Sequence, residues 1–170
     1  RSTFWKGESN FRLNNFDDAL IDFNRFSNNS YAKNTLEFEN INYHIAYVYF
    51  NQKNYKQAAN SFQKYIAQNP MDQLKLNDSY SRIADTYFVS SDYQNAINSY
   101  DKIINNRASD ADYAQFQKAI SYGYIRQDER KIEELNTFIR KYPKSSYRDD
   151  AYYVLANEYI DANENTKAIE

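Results

Sequence analysis

Two columns of small residues run through this chain in lockstep. One holds Gly7, Ala46, Ala84, Ala119 and Ala156; the other holds Ala19, Ala58, Ala96, Lys131 and Ala168. Each member of the second lies 12 residues after its mate in the first, and successive pairs are 39, 38, 35 and 37 residues apart. A unit of that length is a pair of helices. One such pair cannot bury its own apolar face, so the units must stack on one another. Small side chains in both columns let the paired antiparallel helices approach closely.

Larger residues keep the same register. Phe16, Tyr55 and Tyr93 open the second helix of three units, and Phe23, Phe62, Tyr100 and Leu135 sit two turns further on, on the same face. Asn15, Asn54 and Asp92 precede those helices and are expected to cap them through their side chains. Pro70 and Pro143 follow two of them, where proline stops a helix. With only two Gly and two Pro, the chain lacks the turn residues of a sheet protein, and asparagine is expected at turns: Asn14-Asn15, Asn28-Asn29, Asn105-Asn106. The register predicts helices over 2–13, 16–28, 35–52, 55–68, 74–90, 93–106, 111–125, 128–141, 147–162 and from 164 on.

These columns resemble the tetratricopeptide repeat: a small residue in helix A, an aromatic before the turn, Tyr-x-x-Ala opening helix B, and a closing proline. The resemblance implies an all-α, right-handed superhelical solenoid of antiparallel helix pairs. It would comprise four repeats and part of a fifth, near 1–34, 35–72, 73–108, 109–146 and 147–170. The chain departs from the pattern in its longer periods and in Asn14, Lys53, Ser91, Arg126 and Asn163, which stand where the family has a turn glycine. Phe26, Tyr65, Ile103 and Phe138 are bulky where the family has alanine. Lys131 breaks the alanine column, and its stem is expected to run along the groove with the amine in water. The run Phe138-Ile139-Arg140-Lys141-Tyr142-Pro143-Lys144-Ser145 resembles repeat endings in bacterial cell-envelope proteins. Outer-membrane assembly lipoproteins and the Tol-Pal coordinator have that style. It implies a periplasmic or envelope setting, with the cytoplasm as alternative. The chain starts at Arg1 and stops at Glu170 inside a predicted helix, and is expected to be part of a longer protein.

The inventory of reactive groups points away from catalysis. There is no cysteine and a single histidine, His44, so neither a histidine-based triad nor a multi-ligand zinc site can be assembled in the usual way. Asp17-Asp18 and Asp149-Asp150 fall in first helical turns, where negative charge complements the dipole, and adjacent helical residues diverge. Gly7 and Gly123 are the only glycines, too few for a phosphate loop. The Asn28-Asn29-Ser30 and Asn77-Asp78-Ser79 triplets match a glycosylation pattern common by chance in Asn-rich sequence. Net charge is -2 with no basic block, which argues against nucleic acid or an anionic membrane as main partner. No apolar run is long enough to span a membrane. The expectation is a protein-binding chain with no enzyme activity, cofactor or metal; its oligomeric state is not set by the sequence.

In the family, helix A lines the groove that holds a partner. The matching positions are Phe4, Glu8 and Arg12; Tyr43, Tyr47 and Asn51; Ser81, Asp85 and Val89; Phe116, Ile120 and Tyr124; Tyr153, Asn157 and Asp161. They lack the Lys and Arg set with which chaperone-binding repeats grip a terminal carboxylate. An aromatic and amide lining suits an extended or helical segment, with Tyr43, Tyr47, Phe116 and Tyr124 as anchors. The competing expectation is that some of these rings pack between adjacent A helices and that the chain is only a spacer.

Overall fold

The computed structural model describes residues 2–106, 109–162 and Ala168. Among these residues the regular structure is entirely helical, and no helix is long and apolar enough to cross a membrane. The chain divides into two compact units, residues 1–86 and 87–170.

In the first unit, α1 (Ser2–Arg12) pairs with α2 (Phe16–Ser27), and α4 (Ile41–Asn51) with α5 (Tyr55–Ala67); α2 also packs on α4. A 3-10 turn (Ser30–Ala32) and the short α3 (Leu36–Glu39) link the pairs, and α6 (Gln73–Val89) carries the chain into the second unit. That unit holds α7 (Tyr93–Asn105), α8 (Ala111–Tyr124), α9 (Asp128–Lys141) and α10 (Arg148–Asp161), each packed on the next. The expected helix over 35–52 is broken. Thr35 caps α3 by accepting from the Phe38 amide, and the Asn40 side chain donates to the Leu36 carbonyl at 2.9 Å, closing that helix before α4 begins. The helix expected from 164 on lies outside the described residues apart from Ala168, as does Asn163.

Ala19, Ala46, Ala58, Ala84, Ala96 and Ala119 are wholly buried, as are Phe23, Phe62, Tyr100 and Leu135. The bulky helix-B endings Phe26, Tyr65, Ile103 and Phe138 are buried too. They fill the interior at the end of each B helix with ring and branched side chains.

Four of the turns between successive helices share one geometry. Asn14, Lys53, Ser91 and Arg126 have φ of 60°, 59°, 60° and 56°. In each, the next residue's amide reaches back to the carbonyl five residues earlier: Asn15 to Asn10, Asn54 to Tyr49, Asp92 to Tyr87, Gln127 to Tyr122, at 2.8–3.0 Å. This is a Schellman closure formed without glycine. An aromatic pair brackets three of the turns, Phe11–Phe16, Phe50–Tyr55 and Phe88–Tyr93, with centroids 5.8, 5.8 and 5.5 Å apart. One expectation needs correction. Of the cap residues, only Asp92 uses its side chain, accepting from the Asn95 amide; Asn15 and Asn54 make no such bond. The Schellman closure already fixes the chain there. Each asparagine pair falls at a turn as expected; Asn14 is left-handed there, while Asn28 and Asn106 are right-handed C-caps of α2 and α7.

Candidate partner-binding faces

In the first unit, the A-helix face is a bonded network. The Tyr43 and Tyr47 hydroxyls both donate to Asp78 Oδ2, at 2.9 and 2.5 Å, and their rings meet at 5.0 Å. Arg82 lies beside Asp78, with Nε 3.4 Å from Oδ1, and pairs with Asp85 at 2.7 Å. Its guanidinium stands 5.9 Å from the Phe50 ring. Burial pushes both tyrosine hydroxyls well above the usual range; the Tyr47 and Asp78 charges add to this at Tyr43, and the bond to Asp78 adds to it at Tyr47. On α1, Arg12 Nε donates to Glu8 at 3.0 Å, and the other Glu8 oxygen is 3.2 Å from His44 Nδ1. Asn51 is exposed and returns its amide to the Tyr47 carbonyl.

Three first-unit candidates are not on an open face. Phe4 is in the core, against Phe23 and Phe26. Ser81 is fully buried and donates to the Asn77 carbonyl, and Asp85 is buried and paired with Arg82. The reason is that α6 is enclosed around most of its circumference, burying Ser79, Ser81, Ile83, Ala84, Asp85 and Thr86 together. Asp78 and Arg82, which organise this face, were not among the expected positions. Their i,i+4 spacing, with Asp85 one turn on, is a signal in the sequence that the family register passes over.

In the second unit, Phe116 is buried, stacked on Tyr147 at 5.7 Å and tilted against Phe138. It is a core residue, because Tyr147 at the start of α10 covers its ring. Ile120 is half-buried against the same cluster. Tyr124 remains 59% exposed although its ring lies parallel to Tyr93 at 4.7 Å and edge-on to Phe88. Val89 and Tyr153 are exposed, as is Asp161, while Asn157 is half-buried. Lys131 does not leave its amine in water. The ammonium pairs with Glu158, and both side chains are largely shielded. Its stem lies over Gly123, where a Cβ would stand 2.9 Å from Lys131 Cδ. Gly123 occupies the register position held by Phe11, Phe50 and Phe88, so loss of that ring makes the room the lysine uses.

Residues 42–70 and 113–145 match the family model described as Tetratricopeptide repeat. No curated protein matches the chain. Among solved structures it is similar to the apo form of RapI, with a TM-score of 0.84 and 14% identity over 98% of this chain and 50% of RapI. The chain thus spans half the length of that protein. It is similar to MamA from Desulfovibrio magneticus RS-1 (TM-score 0.71, 15% identity, 96% of this chain and 85% of the other). It also resembles YrrB, a TPR protein with an unusual peptide-binding site (TM-score 0.66, 14% identity, 98% and 78%). With helix pairs in this register, and two stretches that carry the repeat's own sequence, the chain has the tetratricopeptide-repeat fold.

Proposed function

We propose that this chain is a protein-interaction scaffold that holds a peptide or protein segment on its A-helix faces. The observation that carries this is Tyr124: its ring is fixed by Tyr93 and Phe88 yet more than half exposed, so little entropy is lost when a partner covers it. Tyr153, exposed on α10, adds a second aromatic ring open to a partner. The peptide-binding site named for YrrB supports the reading by analogy. A bacterial envelope or periplasmic setting belongs to the proposal through the Phe138–Ser145 resemblance, and the reading assigns no catalytic role.

The test pairs affinity with stability. Tyr124→Ala should weaken binding of a captured protein partner about thirtyfold, roughly 2 kcal/mol, with little change in Tm. Tyr47→Ala should lower Tm, because its hydroxyl is bound to Asp78. Normal binding by Tyr124→Ala would sink the reading. A second reading, a spacer with nothing on these faces, is favoured by the burial of Phe4, Ser81 and Phe116 and by the Tyr43 and Tyr47 bonds to Asp78. It gains if the purified chain captures no partner.

A further inference from the structure

The run Phe138–Ser145 contains more than packing requires. Phe138 is buried, and the Tyr142 ring tilts against it at 5.7 Å. The Ser145 hydroxyl donates to Asp112 Oδ2 at 2.6 Å and accepts from the Tyr147 amide, which ties the link between α9 and α10 to the first turn of α8. Those contacts account for Phe138, Tyr142 and Ser145. They leave Lys141 and Lys144, both exposed and neither in an ion pair among the described residues. Lys6, Lys75, Lys118 and Lys131, by contrast, each meet a carboxylate.

The end of α9 explains one of the two. Lys141 is its last residue, where a cation complements the helix dipole, and its ammonium rests 5.2 Å from the centre of the Tyr142 ring. Lys144 lies two residues beyond the C-cap Tyr142 and has neither role. Both lysines line a cleft of about 350 Å³ in the second unit, together with Ser109, Asp112, Tyr142 and Ser145. That size falls at the lower end of ligand pockets, roughly 300–1,000 Å³. Asp112 is the one carboxylate among the described lining residues, and both its oxygens are already acceptors, Oδ1 for the Tyr113 amide at 2.8 Å and Oδ2 for Ser145. Two ammonium groups thus share the cleft with one carboxylate whose oxygens are taken, and its surplus charge is positive.

We propose that this cleft docks an acidic segment of a partner protein, with Lys141 and Lys144 meeting its Asp or Glu side chains beside the Tyr142 ring. Lysine is a compact charge on a flexible stem, so the pair adapts to carboxylates at more than one spacing. The Ser145–Asp112 bond holds the wall of the cleft in place beforehand, which leaves less to order on binding. The site lies at the start of α8, and Tyr124 stands at the other end of that helix, about 20 Å away along its axis. It therefore stands apart from the A-helix contact made by Tyr124, and its test is independent of Tyr124→Ala.

The probe is hexaglutamate blocked at both ends, added to the whole chain at low salt and followed through the amide NMR spectrum. Shifts should concentrate in residues 109–113 and 141–146, and the binding should weaken as salt is raised. Blocked hexaglutamine should produce no such shifts. Replacing both lysines, Lys141→Gln with Lys144→Gln, should weaken binding about tenfold. Lys33→Gln with Lys64→Gln removes the same charge from exposed positions of the first unit and should change the affinity by less than about twofold. All four side chains are exposed, so the variants should fold, and their amide spectra check this. Shifts scattered over the whole surface, no shifts at all, or equal losses in the two double variants would overturn the proposal. So would equal binding of hexaglutamine, or the same shifts produced by inorganic phosphate at equal concentration, which would make the cleft a general anion site.

Discussion

The ammonium of Lys131, at a position where earlier repeats carry alanine, pairs with the carboxylate of Glu158 on α10. Both side chains are largely shielded, at 15% and 17% exposure, so neither charge finds much water if the other is removed. Breaking such a pair from one side is costly. In a double-mutant cycle of Lys131→Ala and Glu158→Ala, the coupling should be about 1–3 kcal/mol. The Arg12–Glu8 pair, whose arginine is 74% exposed, should couple by no more than about 0.5 kcal/mol. Equal coupling in the two cycles would show that shielding of Lys131 contributes nothing.

The two glycines should respond oppositely to alanine. At Gly7 a Cβ would lie 2.8 Å from Cδ1 of Phe23, a ring with no exposure and no room to move. Overpacking of about 1–3 kcal/mol then outweighs the roughly 1 kcal/mol that alanine gains in a helix. Gly7→Ala should lower the denaturation midpoint. At Gly123 the nearest atoms belong to the flexible Lys131 stem, which can swing aside. Gly123→Ala should be neutral or slightly stabilising. Equilibrium denaturation of both variants checks the difference in sign.

The left-handed turn residues hold strain that glycine would relieve. Lys53 and Arg126 have φ near 60° with ordinary side chains, which costs about 1–2 kcal/mol each, partly offset by the greater freedom of glycine in the unfolded chain. Lys53→Gly and Arg126→Gly should each stabilise by about 0.5–1 kcal/mol. Asn14→Gly should gain less, because asparagine tolerates this region. Thermal melts of the three variants test the ranking.

Alkali should act on Tyr43 and Tyr47 together. Their folded pKa values are raised above the ordinary 10.0, so the folded chain holds these protons more tightly than the unfolded one. Their contribution is intact below about pH 10 and is lost as pH rises beyond it. An absorbance titration should show a fraction of the tyrosines ionising only as the first unit unfolds. Asp78→Ala leaves both hydroxyls without their acceptor and should lower stability by about 1–3 kcal/mol and bring that fraction down toward pH 10. A titration with all tyrosines near 10 would contradict this.

The columns that place Gly7 with Ala19 and Ala46 with Ala58 were enough to determine the pairing of α1 with α2 and of α4 with α5. Close approach of two helices demands small residues at a fixed spacing, and that demand is local to each pair. The substitution of Asn14, Lys53, Ser91 and Arg126 for a turn glycine was also legible, since a Schellman turn needs a left-handed residue whatever its side chain. The candidate faces were legible only in part. Family register named Phe4, Ser81 and Phe116 as surface, and all three are buried, because a residue on the inner side of an A helix faces either a partner or the next helix, depending on how the helices pack. The same is true of Lys131: one sequence column marks it as an exception, but only packing brings it over Gly123 to Glu158. Local spacing fixes a helix and its turn through the chain's own geometry. Which side chain meets which across helices depends on the space left between them, and that was decided by the tertiary structure.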